Sequence, residues 1–315
     1  MKVTEHLTKA QGPLISFEII PPLRGGNVRA LLEVIEQLVP HNPPFVDITS
    51  HPAEVIYEET PQEIRKRIKR KRPGTLGVCA LIQNKYNIDA VPHILCQGFT
   101  REETEDFLIE LKYLGIDNVL AVRGDDSGYR KPLRNGRSAN NYAVDLVRQI
   151  SAMNRGQYLE DSLLDAEPSS FCIGIGGYPE KHFEAPNLAS DIRFAREKVE
   201  AGAEYIVTQM FFDNQRYFEF VAACRAEGVD VPIIPGLKVI TSTRHLSSIP
   251  RTFHVDIPPA LADEVAADPG NVAEIGVEWA LAQAQELVDK GVPSVHFYVM
   301  LDAVAVTRLM AKLKL

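Results

Sequence analysis

Near the start of the chain lies a short apolar run, Leu14-Ile15-Ser16-Phe17-Glu18-Ile19-Ile20, which stops at Pro21-Pro22. Its length, its β-branched residues and the prolines that close it predict a buried β-strand. Glu18 lies in the middle of that strand, where an ionised carboxylate is costly unless it is paired or protonated. Glu18 is therefore either a structural group satisfied by an arginine or by backbone amides, or an acid with a chemical use.

The same kind of run recurs along the whole chain. The predicted strands cover residues 14–20, 45–49, 76–82, 118–123, 171–176, 204–209, 231–237 and 294–299. Helical patterns lie between them, over 27–39, 101–114, 140–153, 187–201 and 214–227, with further helices over about 271–290 and 302–313. Thr100 and Glu103 have the spacing of a capping box at the start of the second of these helices.

Near-continuous apolar strands that alternate with helices are typical of an all-parallel sheet covered by helices. The sequence therefore predicts the α/β class and a (β/α)8 TIM barrel, with a doubly wound open sheet as the alternative. No linker-like stretch divides residues 1–315, so we expect one domain. Residues 155–168 and about 250–270 are predicted to be surface excursions.

Composition narrows the function classes. The chain is 45% hydrophobic and 24% charged, as expected for a globular protein with a substantial core, and its net charge of −8 disfavours nucleic-acid binding. The basic run from Arg65 to Arg72 is predicted to form the last turns of a helix. No apolar run is long enough to span a membrane, and the N-terminus lacks a secretory pattern.

The four cysteines, at positions 79, 96, 172 and 224, have no metal-ligand spacing. They predict reduced thiols in a cytoplasmic protein, and we expect no metal site.

Polar groups recur at the predicted C-terminal ends of the strands, where barrel enzymes place their chemistry. They include Glu18, Thr49, His93, Arg123, Asp125, Tyr178, His182, Thr208, Gln209 and Lys238, with Gly124 and Gly176 beside them. No P-loop or GxGxxG motif is present, because Gly174-Ile175-Gly176-Gly177 has neither spacing. Asp126-Ser127-Gly128 and Asn135-Gly136 are turn signals in the loop after the fourth predicted strand. This distribution favours an enzyme or ligand pocket over a structural scaffold.

Several segments of this sequence, read together, resemble those of the methylenetetrahydrofolate reductase family of FAD-dependent barrel enzymes. Ser16 to Pro22 matches the family's SFEFFPP opening, and Val122 to Asp125 matches its LRGD loop. Gly177 to Ala185 matches AYPExHPEA, and Val207 to Asp213 matches ITQxFFD. The match covers nearly the whole chain in the right order, with Lys198 to Ala203 and His296-Phe297-Tyr298 as further blocks.

The resemblance implies roles for matching residues. Glu18 would be the general acid that opens the methylene bridge of the folate, Asp125 the carboxylate near flavin and pterin, and Gln209 a residue that orients the pterin, with Tyr298 also at the substrate. The FAD site would draw on Thr49, His93, Arg123, Gly124, Asp125, Tyr142, Ala143, Gly176, Tyr178, His182, Asp191 and Lys198. Arg123, His182 and Lys198 would face the pyrophosphate.

Departures from the family pattern concentrate after the last two predicted strands. Val239 replaces a family proline, His245 a glutamine, and Ile249 the phenylalanine that stacks near the substrate. Asp302 replaces a family arginine. These changes bear on the binding of folate and of nicotinamide nucleotide.

Three hypotheses follow. In the first, NADH or NADPH reduces FAD, which reduces 5,10-methylenetetrahydrofolate to 5-methyltetrahydrofolate, a step of one-carbon metabolism towards methionine. In the second, a ferredoxin or flavoprotein partner supplies the electrons. In the third, the chain is a folate-binding or methyl-transfer accessory protein without redox activity. Whether the chain forms a homo-oligomer is left open.

Overall fold

The apolar run around Glu18 forms strand β1 (Leu14–Ile19) in the computed structural model, which describes residues 1–125, 128–134, 136–163 and 165–315. The other strands are β2 (Phe45–Ile48), β3 (Glu54–Glu59), β4 (Ile64–Lys69), β5 (Asp89–Leu95), β6 (Asn118–Val122), β7 (Cys172–Gly177), β8 (Tyr205–Met210), β9 (Ile233–Leu237) and β10 (Ser294–Met300). A closed barrel forms in the order β1-β10-β9-β8-β7-β6-β5-β2, with every neighbouring pair parallel. The predicted (β/α)8 barrel is confirmed.

Helices alternate with the barrel strands, and several have lengths close to those expected. They are α1 (Val3–Lys9), α2 (Val28–Leu38), α3 (Thr75–Tyr86), α4 (Arg101–Tyr113), α5 (Ala143–Met153), α6 (Leu188–Glu200), α7 (Asn214–Ala226), α8 (His245–Phe253), α9 (Pro259–Ala267), α10 (Val272–Asp289) and α11 (Val304–Met310). Short 3-10 helices cover Val39–His41 and Pro269–Asn271. The capping box of α4 is present, since the Glu103 amide donates to Thr100 Oγ1 and the Thr100 amide donates to Glu103 Oε2.

The prediction of a strand over 76–82 is wrong, because this segment lies inside α3. Val78, Cys79 and Ile82 fall on one buried helix face, and a short apolar run does not distinguish such a face from a buried strand. The third barrel strand is instead β5, which contains Pro92 and His93. Pro92 lies opposite Ile48 of β2 although it lacks an N–H to donate.

The prediction of a helix end over residues 65–72 is also wrong. Most of this basic run forms β4, which pairs antiparallel with β3 in a two-stranded sheet outside the barrel. Opposite charges face each other across the pair, and Arg67 Nε lies 2.9 Å from Glu58 Oε2. Charge complementarity across strands therefore explains the basic run.

The two predicted excursions differ. Residues 155–168 contain no helix or strand among those described, whereas the excursion predicted over about 250–270 contains the end of α8 and all of α9. The turn signals at Asp126, Ser127 and Asn135 lie outside the described residues. None of the described helices is both long and apolar enough to cross a membrane.

Helix α1 packs against one end of the barrel. Val3 of α1 is fully buried in a cluster with Phe45, Val91 and Tyr205, and its amide donates to Asn118 Oδ1 at the start of β6. Helix α1 therefore covers the N-terminal ends of the strands. Because the strands are parallel, their C-terminal ends gather at the opposite end, which we call the mouth.

Candidate active site at the mouth of the barrel

Four ionisable side chains from four strands meet within the barrel. His93 Nε2 on β5 lies 3.4 Å from Glu18 Oε2 on β1 and 3.6 Å from Asp47 Oδ2 on β2. His296 Nε2 on β10 lies 4.0 Å from the same Glu18 oxygen. All four residues are buried, Glu18 with 7% of its surface exposed. The structure thus brings Glu18 and His93 together and adds Asp47 and His296.

Sequence reasoning gave no role to Asp47. A signal was present, since Asp47 is a lone acid within a buried apolar strand, as Glu18 is. Neither carboxylate oxygen of Asp47 has a hydrogen-bond partner among the described residues. At 3.6 Å its contact with His93 is an ion pair rather than a hydrogen bond.

The pKa of Glu18 is raised to about 7, chiefly by burial; the carboxylates of Asp47 and Asp125 contribute to the rise, while His93 and Lys238 oppose it. A carboxylic acid with such a pKa holds its proton near neutral pH and can still give it up. This is the property that a general acid requires.

The two histidines behave differently. Burial lowers the pKa of His93, but the carboxylates of Asp47 and Glu18 outweigh burial and leave its pKa raised. Burial lowers the pKa of His296 to about 4, so His296 is neutral near pH 7. Its Nδ1 lies 2.9 Å from Ser16 Oγ, a contact that fixes the ring.

Tyr298 forms a second part of the mouth. It lies opposite Glu18 in the pairing of β1 with β10, and its hydroxyl donates to the Thr208 carbonyl of β8 at 2.6 Å. Gly236 on β9 makes this position available, because a Cβ there would lie 2.7 Å from the Tyr298 ring and 2.3 Å from the Thr208 carbonyl oxygen. The close approach requires glycine.

Lys238 follows β9 and also faces this region. Its ammonium donates to the Tyr298 carbonyl at 2.7 Å. Burial lowers its pKa to about 8, against the opposing influence of Glu18 and Asp302.

Gln209 and Asp125 lie at the ends of β8 and β6. The Met210 amide donates to Gln209 Oε1 at 2.9 Å, which fixes the oxygen, while the Gln209 amide nitrogen has no partner among the described residues. Burial is the main cause that raises the pKa values of Glu18 and Tyr178, and the charge of Asp125 adds to the rise in both. The three residues predicted to be catalytic therefore converge on one end of the barrel.

Beside this cluster lies a cavity of about 510 Å³ between the ends of β6 and β7 and helices α5 and α6. Eight of the residues predicted to bind flavin line it, namely Arg123, Tyr142, Ala143, Gly176, Tyr178, His182, Asp191 and Lys198. Lys198 Nζ donates to the Gly176 carbonyl at 3.3 Å, and burial lowers its pKa. The His182 amide donates to Asp191 Oδ2 at 2.8 Å.

Arg123 contributes a second cation to this cavity. Its guanidinium forms an ion pair with Glu184 and lies 5.7 Å from the centroid of the Tyr142 ring. The cavity therefore has one cation from the segment after β6 and one from α6 in its lining.

The other residues predicted to bind flavin, Thr49, His93, Gly124 and Asp125, do not line this cavity. Thr49 is buried with its hydroxyl 3.1 Å from His51 Nε2. Gly124 adopts a left-handed φ of 85°, which favours glycine. His93 also lines a neighbouring cavity of about 530 Å³ that extends past Arg70 and Phe99 to α4.

The positions that depart from the family pattern are placed as follows. Ile249 is buried in a cluster with Met210 and Phe212, and Val239 is buried as well. His245 begins α8 and accepts a hydrogen bond from the Thr241 amide at Nδ1. Asp302 is exposed and accepts from the Val304 amide. Ile249 is thus a packing residue and offers no exposed face to a substrate.

The sequence was compared with protein-family models and with known proteins. The family model for methylenetetrahydrofolate reductase matches residues 2–314. Methylenetetrahydrofolate reductase 1 of Schizosaccharomyces pombe is 30% identical over 95% of this chain and 46% of its own length. The 5,10-methylenetetrahydrofolate reductase of Pectobacterium carotovorum is 28% identical over 95% of this chain and 89% of its own. The chain spans about half the length of the fungal, plant and nematode relatives it matches.

Relatives in Caenorhabditis elegans and Zea mays, each 28% identical, carry NADPH and NADH respectively in their names. Among solved structures, a Clostridium thermocellum protein described as binding two copies of 5-methyl-5,6,7,8-tetrahydrofolic acid superposes with a TM-score of 0.58. It is 14% identical and covers 98% of this chain and 97% of its own, and this likeness supports the fold. With the family model matched across nearly its whole length, the chain belongs to the methylenetetrahydrofolate reductase family.

Proposed function

We propose that this chain reduces 5,10-methylenetetrahydrofolate to 5-methyltetrahydrofolate, with FAD between a nicotinamide nucleotide and the folate. The observation that carries the proposal is the buried Glu18 carboxyl, with a pKa of about 7, at the mouth of a barrel beside a cavity whose lining includes Arg123 and Lys198. Residues 1–315 would form a single FAD-binding barrel domain in the cytoplasm.

The cavity residues fit a dinucleotide. Lys198 has three N–H donors and a single described acceptor, the Gly176 carbonyl, so a phosphate oxygen would satisfy the others. Arg123 supplies the second cation for a pyrophosphate. Asp191 Oδ1 accepts no hydrogen bond from a described residue and suits a ribose hydroxyl. The volume of about 510 Å³ is within the range of cofactor sites.

When bound, FAD would supply the hydride carrier between the nicotinamide nucleotide and the methylene carbon of the folate. Thr49, His93, Gly124 and Asp125 would surround its ring system, and Tyr142, Ala143, Tyr178 and His182 would complete the walls.

The reaction of the folate needs a proton at N10 before its methylene carbon can be reduced. Glu18 would give the proton of its carboxyl group to N10, and the bond between the methylene carbon and N10 would break with its electron pair left on N10. The positive charge would then rest on the N5 iminium. Glu18 would become a carboxylate in this step.

The other two carboxylates would act through charge. Asp125, at the end of β6, would stabilise the cationic iminium, because an opposite charge near a developing charge lowers its free energy. Asp47, buried behind His93, would hold that imidazole in place.

Gln209 and Tyr298 would position the pterin. With its oxygen held by the Met210 amide, Gln209 would direct its amide N–H groups to the ligand. The Tyr298 hydroxyl is held by the Thr208 carbonyl, so its ring would serve as a fixed wall.

A second candidate keeps the folate reaction and takes electrons from a ferredoxin or flavoprotein. Two features favour it, since Ile249 is buried in the core and Asp302 places an acid where the family has an arginine. A non-redox folate-binding role would leave the protonated Glu18 without a use.

The test is anaerobic spectroscopy of the purified protein in two stages. Flavin absorbance that bleaches with NADH or NADPH and returns on addition of methylenetetrahydrofolate supports the proposal. Absorbance that does not bleach with either nucleotide but does return after dithionite reduction and folate addition supports the protein donor. A protein that binds neither FAD nor folate would contradict both candidates.

A further inference from the structure

At the mouth of the barrel, one residue, Tyr298, links the position of the Lys238 ammonium to that of the Glu18 carboxyl. Tyr298 lies opposite Glu18 across the β1–β10 pair, and its carbonyl accepts the hydrogen bond of Lys238 at 2.7 Å. The Tyr298 side chain is itself held by the Thr208 carbonyl of β8. Lys238 is therefore fixed relative to Glu18 by three strands.

Lys238 keeps donors in reserve. Of its three N–H groups, the Tyr298 carbonyl accepts one, and no described residue accepts the other two. A partly buried ammonium in this state favours an anion nearby. In the absence of ligand, Glu18 and Asp302 are the anions whose charges act on it.

We propose that Lys238 is a positioning residue for Glu18. The Lys238 ammonium, held on the Tyr298 carbonyl, balances the negative charge that Glu18 acquires when it gives up its proton. The proposal rests on the proposed function for its catalytic consequence, since the proton goes from Glu18 to N10 of the folate. Its electrostatic part depends on the chain alone.

Other charges bear on the same carboxyl and must be separated from Lys238. Facing Glu18 are His93 from β5, Asp47 from β2, His296 from β10 and Asp125 after β6. Facing Lys238 are Asp302 after β10 and His245 of α8, whose pKa burial lowers, with a further lowering from Lys238. Of the two cations near Glu18, His93 has a pKa that its carboxylate neighbours raise against the effect of burial, and Lys238 has a pKa that burial lowers to about 8.

The sign of the effect is fixed by this arrangement. A neighbouring cation favours the carboxylate and so lowers the pKa of Glu18. Removing the cation should raise that pKa and make the proton harder to give up. At a pH where Glu18 is protonated in both proteins, Lys238→Met should slow folate reduction by about tenfold, comparable to the loss of one favourable contact in the transition state.

Three variants separate charge from position. Lys238→Met removes the charge and the hydrogen bond to Tyr298, Lys238→Gln keeps a donor for that carbonyl without the charge, and Lys238→Arg keeps the charge. Lys290→Met, at the exposed end of α10, is the matched control for loss of a lysine.

The experiment is a pH titration of the flavin-free protein with ¹³C-labelled glutamate carboxyl groups, in which Glu18→Gln identifies the Glu18 resonance. We expect the Glu18 midpoint to move to higher pH in Lys238→Met and Lys238→Gln, and to stay near the wild-type value in Lys238→Arg and Lys290→Met. A midpoint that is the same in Lys238→Gln as in the wild type would overturn the proposal.

The two proposals fail separately. If the wild type does not reduce methylenetetrahydrofolate but the Glu18 midpoint moves as expected, the coupling of Lys238 to Glu18 stands and the proposed function is wrong. If the wild type reduces the folate and Lys238→Met does so at an unchanged rate and pH midpoint, Lys238 has no positioning role.

Discussion

His93 Nε2 lies 3.4 Å from Glu18 Oε2, so a histidine with a raised pKa stands beside the acid of the site. The imidazolium favours the Glu18 carboxylate and lowers the pKa of Glu18, against the larger effect of burial. The pair therefore links the protonation of the acid to that of its neighbour.

The first prediction concerns the pH dependence of folate reduction. Because the proposed reaction uses Glu18 in its protonated form, the rate constant of the folate half-reaction should fall as pH rises through about 7. His93→Gln removes the cation that lowers the pKa of Glu18, so the fall should move to higher pH. His41→Gln, in the 3-10 helix before β2, is the control. A fall at the same or lower pH in His93→Gln would contradict this coupling.

The second prediction concerns stability. Glu18 has a pKa of about 7 in the folded protein against its ordinary value of 4.5, so its contribution to stability is present below pH 4.5 and is lost as pH rises through about 7. Glu18→Gln escapes this loss. Its free energy of unfolding should exceed that of the wild type by up to about 3 kcal/mol at pH 8 and by little at pH 4. Urea titrations at both pH values measure the difference, and a variant less stable at pH 8 would refute it.

The third prediction concerns the cofactor cavity. Lys198→Met removes a partly buried ammonium that we assign to a phosphate, and should weaken FAD binding by roughly 10- to 100-fold, as expected for a charge-assisted hydrogen bond. Riboflavin, which has no phosphate, should bind equally to both proteins. Fluorescence titration of the flavin-free protein compares the two ligands, with Lys290→Met as control. An equal loss for riboflavin would place the lysine away from the phosphates.

The fourth prediction concerns the seat of Tyr298. Gly236→Ala places a Cβ 2.7 Å from the Tyr298 ring and 2.3 Å from the Thr208 carbonyl oxygen. We expect a loss of about 1–3 kcal/mol in the free energy of unfolding, together with weaker folate binding, because the strand and the ring must both shift. Gly270→Ala, whose Cβ has no neighbour closer than 3.8 Å, should change neither quantity. Unchanged stability in Gly236→Ala would show that the site relaxes.

Much of the barrel could be predicted because its strands are nearly continuous apolar runs, and β1, β2, β6 and β7 lie within a residue or two of the predicted positions. The strand prediction failed at residues 76–82, which belong to a helix. Gly74 caps that helix with a left-handed φ of 104° and provides no side-chain cap. A short apolar run carries the same periodicity signal in a buried strand and in a helix face. The true third strand was missed because it contains Pro92, and proline, which has no N–H to donate, is usually found in edge strands.

The sequence could locate residues of the candidate site where the signal lay in one buried charged residue or one matched block, as for Glu18 and for Arg123 with Lys198, and their roles stay predictions. Asp47 and His296 were missed because their place in the cluster depends on contacts with His93 and Glu18, which lie on other strands. Register between strands, which places Tyr298 opposite Glu18, is set by closure of the barrel and is not written in any one segment.

The central claim is that Glu18 is the proton donor for the folate, and separate half-reactions of Glu18→Gln test it most directly. Anaerobic stopped-flow measurements would follow flavin reduction by NADH or NADPH, and then reoxidation of the reduced protein by methylenetetrahydrofolate. Glu33→Gln, on the exposed side of α2, is the control. We predict that flavin reduction keeps its rate while reoxidation by the folate slows by about 10²- to 10⁴-fold, the usual contribution of a general acid. Equal slowing of both half-reactions, or of neither, would contradict the role of Glu18.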